Sequence, residues 1–69
     1  MYQVSKQDLI NDAKSSEFNK FIQNTKMLYG VQMNVSDGKI NVEINHPDEK
    51  MVLQFDEKNQ GYLGSLIKG

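Results

Sequence analysis

Along the first 29 residues the apolar positions recur at three- and four-residue spacing, and from residue 31 onward they alternate with polar ones. The first pattern predicts helix and the second predicts strand. Leu9, Ile10 and Ala13 form one short apolar face. Phe18, Phe21, Ile22, Thr25, Leu28 and Tyr29 form another. At 100° per residue the two faces lie more than about 90° apart. Lys14-Ser15-Ser16 stands between them, and serine is a preferred helix cap. A short helix at 5–14, a bend near 14–16 and a main helix at 16–29 are therefore expected, with one continuous helix as the alternative. Ser5 followed by Asp8 caps the start, with the acid at the favourable end of the helix dipole. Gly30 is the natural residue to end the second helix.

In the second half, Val31, Met33 and Val35 alternate with Gln32, Asn34 and Ser36. Asp37-Gly38 is a two-residue hairpin signal, because a type I′ turn needs positive φ at both positions. Ile40, Val42 and Ile44 then alternate with Asn41, Glu43 and Asn45. With Asp37-Gly38 as the loop, Val35 opposes Ile40, Met33 opposes Val42 and Val31 opposes Ile44. Every apolar residue thus meets an apolar one on the same face. His46-Pro47-Asp48-Glu49 reads as the next turn, since proline cannot continue a central strand. That loop sets Ile44 against Met51, Val42 against Leu53 and Ile40 against Phe55, in a third strand at 50–57. Lys58-Asn59-Gln60-Gly61 is a further turn. Residues 62–68 read as a fourth strand; the helical alternative is weakened by Gly64.

The expected fold is a single α+β domain over residues 1–69. Its helical segment, 5–29, packs on one face of a three- to four-stranded antiparallel meander, 31–68, as a two-layer sandwich. Phe18, Phe21, Ile22 and Leu28 are the expected cover for the apolar face of the sheet. So short a chain buries a limited fraction of its surface. Marginal monomer stability, or support from another chain, follows as an expectation.

Composition then removes function classes. The chain has no cysteine, which excludes disulfides, thiolate metal sites and cysteine nucleophiles. Its apolar runs reach three residues, as in Met51-Val52-Leu53, against the roughly 20 residues of a membrane span. Met1 to Ser5 lack a basic region leading into an apolar one, so no secretory signal is expected and the cytoplasm is the expected compartment. The sequon at Asn34-Val35-Ser36 is then a chance match. The net charge is -1, with eight lysines and no arginine. No bidentate guanidinium is available for bases or phosphates, and Lys6, Lys14, Lys20 and Lys26 are interleaved with Asp8, Asp12 and Glu17. Tyr2, Tyr29 and Tyr62 could stack bases, but Tyr29 lies on the apolar helix face, and nucleic acid is not the expected partner.

No catalytic, cofactor-binding or metal-binding set is assigned. The sole histidine, His46, is expected to be an exposed turn residue without a nucleophile beside it. Asp48, Glu49, Asp56 and Glu57 fall in polar turns where nothing calls for desolvation. His46, Asp48 and Glu49 match no metal-ligand spacing. The run from Asp56 to Gly61 has Asp at position 1 and Gly at position 6 of a calcium loop. Lys58 at position 3 and Ile67 at position 12 rule it out.

Two surfaces point instead to protein partners. The strand Val31–Val35, with Gln32, Met33 and Asn34, ends the meander and carries no lysine, proline or charge, the devices that protect natural edges. It is either covered by the chain's own helix or termini, or used for pairing. The outward face of the sheet carries Asn41, Glu43, Gln54 and Val52 beside Gln32 and Asn34, with Leu63 or Ile67 completing an apolar spot around Val52. The α-then-meander layout resembles many small sheet domains, compact phage-encoded inhibitors among them, and no motif carries a functional residue over. Seven asparagines, eight lysines and no arginine are what an AT-rich genome encodes. The expected function is a non-enzymatic protein-binding module. It has the size of a phage or mobile-element inhibitor of a host protein, such as a defence factor. A self-associating structural domain is the alternative, and a homodimer through Val31–Val35 is expected.

Overall fold

The computed structural model describes residues 4–67 of the chain. Two helices, α1 (Lys6–Ser15) and α2 (Phe18–Lys26), precede four strands: β1 (Val31–Ser36), β2 (Lys39–Asn45), β3 (Lys50–Asp56) and β4 (Tyr62–Ile67). The strands form one antiparallel sheet in the order β1-β2-β3-β4, with the helices packed on one face. This is the expected two-layer α+β arrangement.

The helical layer follows its caps. Ser5 accepts a hydrogen bond from the Asp8 N–H at 3.1 Å and starts α1. Ser16, expected to open the second helix, instead closes the first. Its backbone is extended, and its N–H donates to the Asp12 carbonyl at 2.8 Å. Glu17 caps α2, its carboxylate accepting from the Asn19 N–H at 3.2 Å, with its negative charge at the positive end of the dipole. Helix α2 ends at Lys26, short of the expected residue 29. The N–H groups of Leu28 and Tyr29 both converge on the Thr25 carbonyl, closing the last turn there. Gly30 does not take the positive φ of a C′ glycine. A β-carbon there would sit 3.1 Å from the Asn45 side-chain nitrogen, so glycine serves the close approach that leads into β1.

The predicted registers form. Val31, Met33 and Val35 lie opposite Ile44, Val42 and Ile40, which in turn lie opposite Met51, Leu53 and Phe55. Asp37 and Gly38 have φ of 55° and 73°, the type I′ signature. Strand β3 stops at Asp56 because its carboxylate turns back to accept from the N–H groups of Lys58 and Asn59, each at 3.0 Å. In that turn Gln60, not Gly61, carries the positive φ. The last segment is a strand as expected, with Lys68 outside the described residues. An irregularity between Gln54 and Phe55 leaves Leu63 without an opposite residue.

The core joins Ile40, Val42, Ile44, Met51, Leu53 and Phe55 of the sheet to Leu9, Ala13, Phe18, Phe21 and Ile22 of the helices. Phe55 is its centre. Its ring lies 4.9 Å from Phe18 and 5.6 Å from Tyr62, both edge-to-face, and 5.9 Å from Phe21. Leu28, expected in the cover, is exposed because α2 stops before it, and Leu9 and Ala13 of α1 complete the cover instead. Truncating Phe55 to Ala is expected to destabilise the fold by about 3–5 kcal/mol. Val35→Ala, in the same row of the sheet but exposed, is expected to change stability by about 0.5 kcal/mol or less. Urea denaturation of the two variants measures the contrast.

Candidate functional site

Hydrogen-bond parity decides what β1 offers to the outside. The Asn45 N–H donates to the Gly30 carbonyl at 2.9 Å, so Gly30 and Asn45 are a directly bonded pair. In an antiparallel ladder such pairs recur at every second residue. Gln32, Asn34 and Ser36 therefore spend their backbone groups on β2. Val31, Met33 and Val35 aim theirs away from the sheet. Among the described residues no other element covers that side, and β1 is one end of the strand order.

The side chains at those three positions make the edge apolar as well. They share the helix-side face with Ile40, Val42 and Ile44. The helix layer does not reach them fully: Met33 is 46% exposed and Val35 56%, while Val42 is fully buried. Val31, nearer the end of α2, is half-buried against the core. An open strand edge and an uncovered apolar strip thus coincide on one strand.

The remaining expected site residues lie on the other face. Asn34, Asn41 and Gln54 form a row of amides across β1, β2 and β3. The Asn41 side chain donates to Asn34 at 3.1 Å, and Gln54 donates to Asn41 at 3.0 Å. The row ends at Gly64, the residue opposite Gln54 on β4. Gln32 and Glu43 face each other beside it, and Glu43 pairs with Lys50 at 2.8 Å. Val52 lies opposite Leu66 in register rather than opposite Leu63 or Ile67. The irregularity at Gln54/Phe55 shifts the register by one residue and sets Ile67 opposite Met51. Asn34, Asn41, Glu43, Lys50, Val52 and Leu66 line a shallow depression of about 220 Å³.

His46 corrects an expectation. It is buried, at 5% exposure, not a solvated turn residue. Its Nδ1 accepts from the Asp48 N–H at 3.1 Å and its Nε2 faces the Val4 carbonyl at 2.6 Å, which fixes the Nε2–H tautomer. The Tyr29 hydroxyl accepts from the Val4 N–H at 3.0 Å and donates to its carbonyl at 3.2 Å. An ion pair between Lys6 and Glu49 closes the same junction. Both ring nitrogens of His46 are therefore engaged with backbone, and the residue clasps the segment entering α1 to the loop after β2. Tyr29, expected on a helix face, belongs to this clasp. Among the described residues no three His, Asp or Glu side chains gather where they could hold a metal ion. Tyr2, a candidate for base stacking, lies outside the described residues.

These features define a two-layer α+β protein in which, among the described residues, β1 presents an open strand edge with exposed apolar side chains. No family model, no curated protein and no solved structure matches the chain. No helix among the described residues is long and apolar enough to cross a membrane.

The parity of β1 makes two adjacent prolines behave differently. Proline at Asn34 removes an N–H bonded to β2 and is expected to unfold the hairpin. Proline at Met33 removes an outward N–H and is expected to leave a cooperative thermal transition, because edge strands tolerate proline on their free side. Circular dichroism melts of the two variants distinguish them. Tyr29→Phe is expected to lose about 0.5–1.5 kcal/mol with the Val4 bonds, read in urea denaturation.

Proposed function

We propose that the chain is a small non-enzymatic protein-binding module that engages a partner by adding one of its strands to β1. The observation that carries this reading is the coincidence of outward backbone groups at Val31, Met33 and Val35 with apolar side chains that are exposed at Met33 and Val35. In strand addition the backbone bonds supply affinity, and the alternate side chains supply selectivity. A partner segment laid along β1 would pair with the backbone groups and cover Met33 and Val35 with its own apolar residues. The amide row from Asn34 to Gln54 would border the new strand on the opposite face.

The size and the lysine- and asparagine-rich, arginine-free composition support a narrower form of this proposal. The chain then acts as a phage or mobile-element inhibitor of a host protein in the cytoplasm of a low-GC bacterium. The composition also supports a protein partner over nucleic acid, since the strand carries no basic side chain.

Immobilised wild-type protein and its Met33→Pro variant, exposed to a low-GC bacterial lysate, test the reading. The wild type is expected to retain a defined protein at micromolar concentration, and the folded Met33→Pro variant to lose it. Equal retention by both, or none by the wild type, contradicts the proposal.

A further inference from the structure

We infer that β1 is self-complementary and pairs antiparallel with β1 of a second copy, about a twofold axis at Met33 perpendicular to the sheet. The inference rests on the reading of β1 as a strand-pairing edge and names what fills it when no other strand is supplied.

The parity of the strand sets the register. The outward-facing residues are Val31, Met33 and Val35, spaced symmetrically about Met33. A twofold there places Met33 opposite Met33 of the second copy, and Val31 opposite Val35 in both directions. All three pairs are of the directly bonded kind, exchanging two hydrogen bonds each, about six in all. A shift of one residue would set an outward-facing residue against one whose backbone is already spent on β2. Two four-stranded sheets would then continue as one, with both helix layers on the same side.

Side chains on both faces suit this register. On the helix side, Met33 lies beside its own copy. The exposed Val35 lies beside Val31, the half-buried end of the strand near α2. On the other face, Asn34 comes opposite Gln32 of the second copy. The Asn34 oxygen already accepts from Asn41, so its Nδ2 is the group left to donate across the junction, and the Gln32 oxygen can accept it. The amide row Gln54–Asn41–Asn34 thereby runs on into the second sheet. No charged side chain lies on β1, so the twofold brings no like charges together. Antiparallel pairing by a second copy therefore satisfies the edge, the apolar strip and the amide row at once.

The absence of native cysteine permits a direct test. In this register the Met33 α-carbons lie about 5.5 Å apart, inside the range a disulfide spans. The Gln32 α-carbons are offset by two residues along the strands and lie about 8 Å apart, and those of Val35 lie farther still. Wild type is expected to sediment as a dimer at about 100 µM, and M33C to oxidise to a covalent dimer at least about ten-fold faster than Q32C or V35C, given these separations. Wild-type monomer at that concentration overturns the inference, and so does equal cross-linking at all three positions. A dimer that survives Met33→Pro overturns it as well. If the wild type is monomeric and yet Met33→Pro abolishes retention of a lysate protein, strand addition stands while self-pairing falls. All of these variants lie at exposed positions, and a cooperative melt of each establishes that it is folded before the comparison is made.

Discussion

The packing of α2 onto Phe55 governs the rest of the molecule. Phe18 and Phe21 grip the Phe55 ring from the helix side, and Tyr62 meets it from β4. Such aromatic pairs add about 0.5–1.5 kcal/mol each beyond their buried area. They also set position: the helix is centred over the inner strands, where Val42, Ile44, Met51 and Leu53 are fully buried. The clasp of Val4 by Tyr29 and His46 fixes the other end of the layer. It holds the entry to α1 against the loop between β2 and β3. Between these two anchors the helices have no reach left for β1 beyond Val31.

That offset gives the edge its character. Residues that would be core in a wider layer, Met33 and Val35, become surface, on a strand that, like β4, has among the described residues no neighbour on its second side. A charge or proline on β1 would have protected it. The sequence places glutamine, asparagine and serine there instead, and these hydrogen-bond without repelling another strand. The face across from the helices adds to the same surface, because its amides are ordered in a row that ends on β1. The proposed strand pairing rests on this combination, with a host protein or a second copy as the strand supplied.

Much of the sheet could be read before folding, because period-two alternation and the Asp37-Gly38 turn constrain one another. A slip of one residue would have turned Val35 and Ile40 to opposite faces. The chain breaks between elements were less legible. Ser15 and Ser16 both look like caps, and the choice of Glu17 depended on the Ser16 N–H finding Asp12 across a turn. Whether α2 would reach Tyr29 depended on a contact with Val4, 25 residues away, that no local pattern encodes. The burial of His46 has the same origin: its neighbours in sequence are polar turn residues, and its two bonding partners include the backbone of Val4. At the candidate site, the strand and its place at the end of the meander were legible; whether its outer side was covered was not. The exposure of Met33 and Val35 was not, since it depends on where Phe55 centres the helices. Leu66 was missed because the irregularity at Gln54 and Phe55 reverses the alternation of β4.

Amide hydrogen exchange along β1, followed as protein concentration is raised, tests the central claim most directly. At the lowest concentration, protection should alternate, with Gln32, Asn34 and Ser36 slow and Val31, Met33 and Val35 fast. Raising the concentration, or adding a bound partner, should then slow the second set while leaving the first little changed. Uniform protection along the strand at the lowest concentration would mean that the edge is already covered within one chain. Continued fast exchange at Val31, Met33 and Val35 in the associated state would mean that another surface makes the contact; either result contradicts the account.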